Sequence, residues 1–149
     1  MKVSTIGVVG AGAMGSGIAQ VAAVGGMAVL IHDARAGAAA QACARIVEQL
    51  RRRVESGKLA AEVLARAESL LRPVETVADL ANCDLVIEAV LEDLSVKRQV
   101  FQELEAVVRD DAVLASNTSS IPIGAMAATC RRKQRIAGMH FFNPVPVMK

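Results

Sequence analysis

Gly10-Ala11-Gly12-Ala13-Met14-Gly15 has the spacing G-x-G-x-x-G; it follows a short apolar run and opens a stretch of helical period. A backbone that turns this tightly and then enters a helix presents amide N–H groups and the positive end of the helix dipole to an anion. In such a cradle Gly10 permits the turn, Gly12 lets the main chain approach a pyrophosphate, and Gly15 lets helix and strand pack closely. Ala13 and Met14 contribute the intervening amides. Asp33 stands 18 residues beyond Gly15, at the end of the next apolar run. A carboxylate there accepts hydrogen bonds from an adenosine ribose and repels a 2′-phosphate. The set predicts a dinucleotide site that prefers NAD to NADP, with Arg35 near enough to soften the preference.

A second group lies late in the chain. His140 ends the apolar run Ile136–His140, and an imidazole titrating near neutrality can take the proton of a secondary alcohol or return it. Asn117-Thr118-Ser119-Ser120 follows another apolar run. Such residues ahead of a helix are usually caps; we assign Ser120 to the cap and Ser119 to a functional hydroxyl. Glu92 and Lys97 follow the run Asp84–Ala89, where a surface ion pair is the default reading. Arg51-Arg52-Arg53 and Lys58 are explained as a solvated helix end. His32, at the adenosine end, is read as structural.

These residues need a sheet edge to bring them together. Thr5–Val9, Ala28–Ile31, Asp84–Ala89, Ala112–Ala115 and Ile136–His140 read as buried strands, with a short one around Pro73-Val74. Met14, Ile18, Val21 and Ala22 mark a helix ended by Gly25-Gly26. Ala39, Cys43, Ile46, Val47, Leu50 and Val54 mark a longer one broken at Gly57. Leu59, Val63, Ala67, Leu70 and Leu71 mark a third; Val96, Val100, Leu104 and Val107 a fourth; and a short helix begins near Ile121 with Pro122 in its first turn. The alternation predicts an α/β, Rossmann-type doubly wound parallel sheet, with a helical hairpin inserted after the second strand.

The whole chain of 149 residues fits one domain. Seventeen basic against fifteen acidic residues, with no Trp or Tyr, argue against a nucleic-acid partner. Val3–Ile31 carries no charge but holds seven glycines, which interrupt any membrane-spanning helix. The three scattered cysteines lack a metal-ligand spacing, so no metal is expected, and they suit a reducing cytoplasm.

Gly10–Ala19, Val86–Phe101, Ala115–Ile121 and Gly138–Lys149 (GMHFFNPVPVMK) together resemble the L-3-hydroxyacyl-CoA dehydrogenase family, in order and at matching spacing. The resemblance implies hydride transfer between an L-3-hydroxyacyl-CoA and NAD, giving the 3-oxoacyl-CoA. It makes His140 the catalytic base, with Ser119 on the substrate oxygen or nicotinamide and Asn143 orienting substrate and cofactor. It makes Glu92 and Lys97 contacts near the nicotinamide ribose, with the Ala89-Val90 backbone lining the groove, and it directs the hairpin toward the CoA phosphates. Relatives pair the histidine with a glutamate shortly after PVMK and add a helical domain that dimerises. No acidic residue lies between Asp111 and Lys149, so this chain is expected to bind NAD with little or no turnover. The alternatives are an NAD-binding module without catalysis and a related 3-hydroxyacid dehydrogenase.

Overall fold

The computed structural model describes residues 2–148. Six strands form one sheet in the order β3-β2-β1-β4-β5-β6, with every pairing parallel. They are β1 (Thr5–Val9), β2 (Ala28–His32), β3 (Leu71–Val74), β4 (Leu85–Glu88), β5 (Val113–Ser116) and β6 (Ile136–Gly138). Parallel strands need crossovers, and helices supply them on both faces. α1 (Ala13–Val24) joins β1 to β2; α2 (Ala38–Glu55) and α3 (Ala61–Leu70) form the hairpin between β2 and β3. α4 (Leu94–Val107) and α5 (Ile123–Ala127) follow β4 and β5. This is the doubly wound architecture that the alternation predicts.

Each face has its own core. Ile18, Val29, Ile31, Ile46 and Leu50 pack on the side of α1, α2 and α3. Leu80, Val86, Phe101, Leu104 and Met126 pack on the side of α4 and α5. Pro73 sits in the edge strand β3, where its missing N–H costs the sheet least.

Several local expectations are corrected. Val21 and Val96 are exposed rather than core-facing; the buried line of α4 is Lys97, Phe101 and Leu104, continued by Val108. Pro122 is the N-cap of α5 instead of a first-turn residue. β6 ends at Gly138, so His140 belongs to the loop beyond the strand. Two short 3-10 turns, Val77–Leu80 and Lys133–Arg135, were not legible from periodicity.

Strand order reverses between β1 and β4, both flanking the middle of the sheet. Ligands of open α/β sheets bind at the carboxyl ends of strands at such a switch point. The loops leaving β1 and β4 touch there: a β-carbon on Gly10, whose φ is +106°, would lie 2.5 Å from the Ala89 carbonyl oxygen. Only glycine fits both that φ and that contact.

Candidate cofactor and catalytic site

The glycine turn is built as a ligand cradle. The first amide bonded within α1 is Ser16 N–H, donating to Gly12 O at 2.9 Å. The N–H groups of Ala13, Met14 and Gly15 precede it, and no side chain caps them, so they remain for an anion. A β-carbon on Gly15 would sit 1.8 Å from Gly10 O, whereas one on Gly12 would meet nothing within 4 Å. Gly15 is therefore required by the fold. At Gly12 the space belongs to whatever approaches from outside. These observations fit a bound pyrophosphate.

Asp33 does more than face outward from β2. Its Oδ2 accepts the Ala11 N–H at 2.8 Å and its Oδ1 accepts the Arg35 N–H at 2.9 Å, tying β2 to the turn. Arg35 Nε lies 3.2 Å from Oδ1. Burial alone would raise this carboxyl, but the two backbone amides and the Arg35 guanidinium hold it below the ordinary carboxylate value. It stays anionic, as discrimination against a 2′-phosphate requires. Arg45 reaches the same turn, donating to Ala11 O at 3.3 Å. His32 is buried beside Asp33 and its carbonyl accepts the Gly10 N–H at 2.8 Å.

A pocket of about 380 Å³ opens beyond the carboxyl ends of β4, β5 and β6. His140, Ser119 and Asn143 line it together with Met14, Glu92 and the Ala89-Val90 segment. The glycine turn thus reaches it through Met14. Phe142 meets the imidazole edge-on, with ring centroids 4.8 Å apart. Asn117, whose Oδ1 accepts the Phe141 N–H at 2.9 Å, fixes the loop that carries His140.

Glu92 organises the serine loop. Its Oε1 accepts from the Thr118 hydroxyl, from Ser120 Oγ at 3.1 Å and from the Ser119 and Ser120 amides at 3.3 and 3.4 Å. Burial would raise the Glu92 carboxyl, but the hydrogen bonds from Thr118, Lys97 and Ser120 outweigh it and pull the pKa down to about 2. Ser120 is not the helix cap: Pro122 holds that position with no side-chain hydrogen bond, and Thr118 Oγ1 accepts the Ile121 N–H at 3.0 Å in the turn before it. Ser119 lines the pocket.

Lys97 departs most from the sequence reading. Its side chain is 0% exposed, with Nζ 2.7 Å from Glu88 Oε1 and 3.2 Å from Glu92 Oε2. It is no surface ion pair, and it does not line the pocket. Its link to the cofactor groove runs through Glu92. Glu88, equally buried, also accepts the Ser116 hydroxyl at 2.6 Å and the Val90 N–H at 2.7 Å. Sequence reasoning missed Glu88, although a lone carboxylate inside a buried parallel strand was itself the signal.

A larger cleft of about 1030 Å³ lies between the hairpin, α1 and the Asn143–Val147 segment. Arg35, Arg45, Arg52, Arg53 and Lys58 line it, and among the described residues no carboxylate does. Arg51 instead pairs with Glu48 at 2.9 Å. Val145 anchors the segment in the core against Gly17, a fourth glycine whose purpose the motif did not disclose.

A switch-point glycine cradle with an anionic carboxylate at the end of the next strand and a histidine pocket one step away has the form of a dinucleotide-binding domain. Residues 5–149 match the NAD-binding domain of 3-hydroxyacyl-CoA dehydrogenase, and the chain belongs to that family; its cofactor is NAD. It is 49% identical over 147 residues to a 3-hydroxybutyryl-CoA dehydrogenase of Mycobacterium tuberculosis, covering 98% of this chain and 51% of that protein. It is 47% identical over 149 residues to a 3-hydroxyadipyl-CoA dehydrogenase of Escherichia coli, covering 100% of this chain and 31% of that protein. The crystal structure of a 3-hydroxybutyryl-CoA dehydrogenase from Escherichia coli K12 superposes with a TM-score of 0.97 at 47% identity, over 100% of this chain and 32% of that one. The chain therefore spans about half, or less, of the curated relatives it matches. Among the described residues no helix is long and apolar enough to cross a membrane.

Proposed function

We propose that residues 1–149 form the NAD-binding domain of an enzyme that oxidises an L-3-hydroxyacyl-CoA to the 3-oxoacyl-CoA. The observation that carries this reading is the convergence of His140, Ser119 and Asn143 on one pocket that also contains Met14 of the glycine turn. Residues far apart in sequence meet where an alcohol and a nicotinamide must meet.

When bound, NAD supplies the ring that accepts the hydride of the substrate carbinol. The protein's own residues manage everything else. His140 takes the hydroxyl proton as that bond breaks and returns it when a ketone is reduced. Ser119 Oγ, held at the pocket by the Glu92-anchored loop, donates to the reacting oxygen; Asn143 orients substrate and cofactor from the opposite side. Gly10, Gly12, Ala13, Met14 and Gly15 hold the pyrophosphate, Asp33 the adenosine ribose, and Ala89, Val90 and Glu92 the nicotinamide half. Lys97 acts on the cofactor through Glu92.

The basic cleft suits the phosphates of a CoA thioester, because five cations line it and, among the described residues, only Arg35 and Arg52 of these also meet a carboxylate, that of Asp33 and of Glu48. This argues for an acyl-CoA over a small hydroxyacid. A second, helical half that dimerises would complete the enzyme, and the unpaired thiols fit a cytoplasmic setting.

The test is titration of the chain with NADH and NADPH, followed by acetoacetyl-CoA binding to the NADH-loaded chain. Preferential NADH binding and salt-sensitive uptake of the thioester are expected. Equal affinity for NADPH, or thioester binding indifferent to charge reversal at Arg52 and Arg53, would refute this reading.

A further inference from the structure

Glu88, Lys97 and Glu92 form a chain of charge that runs from inside the sheet to the wall of the histidine pocket. Lys97 Nζ bridges the two carboxylates at 2.7 and 3.2 Å. Three donors converge on Glu88, from Lys97, Ser116 and Val90. Two carboxylates against one ammonium leave the cluster one negative charge in excess. That excess emerges at Glu92, which lines the pocket.

Besides Glu92, the pocket's polar lining is Asn117, Ser119, His140 and Asn143, with no lysine or arginine among the described residues. Asp93 lies alongside, its Oδ1 capping α4 through the Ser95 and Val96 amides at 2.8 and 3.0 Å, and so offsets the positive end of that helix. Arg35, Arg45, Arg52, Arg53 and Lys58 line the larger basic cleft instead. The two neighbouring spaces thus carry opposite signs.

The two redox forms of the cofactor differ by one charge in the ring that must lie at His140: the oxidised ring is cationic, the reduced ring neutral. We infer that the Glu88–Lys97–Glu92 cluster selectively stabilises the oxidised nicotinamide in its pocket, so that it sets the ratio of affinities for the two forms of the cofactor as well as bracing the Ser119 loop. The inference rests on the placement of the nicotinamide at His140 proposed above. The buried Lys97 holds Glu92 ionised and in place, while its own charge is consumed by Glu88.

Dissociation constants for NAD⁺ and NADH, measured on the chain and on Glu92→Gln and Glu92→Asp, decide the matter. Glu92→Gln is expected to weaken NAD⁺ binding about tenfold relative to NADH, the scale of one unit charge acting over several ångströms in a partly solvated site. Glu92→Asp keeps the charge and is expected to keep the ratio, even if both constants change. A ratio unmoved by Glu92→Gln, or moved as far by Glu92→Asp, would overturn the inference and leave Glu92 as a brace only. If the unaltered chain bound neither form, the cofactor reading would fall, and this inference with it.

Discussion

Gly17 faces Val145 so closely that a β-carbon on the glycine would lie 2.9 Å from the valine Cβ. This contact fastens the segment that begins at Asn143 to the helix that cradles the cofactor. Val145 is 6% exposed and joins the core, whereas Phe142 before it and Val147 after it are 60% and 73% exposed. The position of the histidine pocket relative to the glycine turn therefore depends on one missing methyl group.

Three glycines of this region should respond differently to alanine. At Gly15 the obstacle is backbone at 1.8 Å, and the variant is expected not to fold stably. At Gly17 the anchored segment must shift, an overpacking cost of about 1–3 kcal/mol, partly offset by about 1 kcal/mol of helix propensity. Gly12→Ala should leave stability within about 0.5 kcal/mol of the original, since nothing lies within 4 Å, yet lose NADH affinity. Urea unfolding paired with NADH titration separates the three; normal NADH binding by Gly12→Ala would show that the pyrophosphate lies elsewhere.

The buried ion pair should be costly to halve and cheap to replace whole. Lys97→Met alone leaves Glu88 unpaired in the core and is expected to cost about 3–5 kcal/mol. The double replacement Glu88→Gln with Lys97→Met should recover most of that loss. A double-mutant cycle by denaturant melts measures the coupling; additive losses would mean that the two side chains are independent.

Stability should fall steeply in acid. The Asp84 carboxyl is held well below the usual range by the Ser4 and Thr5 amides, the Ser4 hydroxyl and Arg109. Glu92 is held at about 2 against an ordinary 4.5. Carboxyls depressed in the fold contribute stability that is complete above their unfolded pKa and is lost as pH falls toward the folded one. The urea midpoint should therefore drop between pH 4.5 and about 2, and Asp84→Asn or Glu92→Gln should flatten that slope while lowering the neutral plateau. A slope unchanged in both variants would assign the acid sensitivity to other groups.

Cofactor choice should turn on Asp33. Replacing it with serine removes the charge that opposes a 2′-phosphate and frees Arg35, which lies 3.2 Å away, to meet one. NADPH affinity is expected to rise about tenfold relative to NADH, equivalent to about 1.4 kcal/mol. Because Asp33 also ties down Ala11, NADH binding should weaken in the same variant. An unchanged ratio of the NADPH and NADH constants would mean that specificity is set elsewhere.

His140→Gln is expected to spare NADH binding and, in an enzyme completed by the second, helical half proposed above, to slow acetoacetyl-CoA reduction about 10²–10⁴-fold, the usual worth of a positioned acid–base group. Loss of both together would make the histidine a cofactor ligand instead.

Much of this was readable in the chain as written. The glycine turn, Asp33, the six strands and the hairpin follow from local spacing, because turn chemistry and the periods of helix and strand act over a few residues. His140, Ser119 and Asn143 could be named by resemblance, and they do share a pocket. Only the tertiary structure decided which way the long-range partners point. It turned α4 so that Lys97 and Phe101 face inward while Val96 is exposed, because Glu88 waits inside the sheet for a cation. It gave the cap of α5 to Pro122 and set Ser119 on the pocket wall, while Glu92 gathers the hydroxyl of Ser120. It closed Gly17 on Val145. Such pairings join residues far apart in sequence, and their free energy comes from burying charges or volumes that fit each other. No local pattern contains that fit; it exists only once the sheet has set the elements side by side.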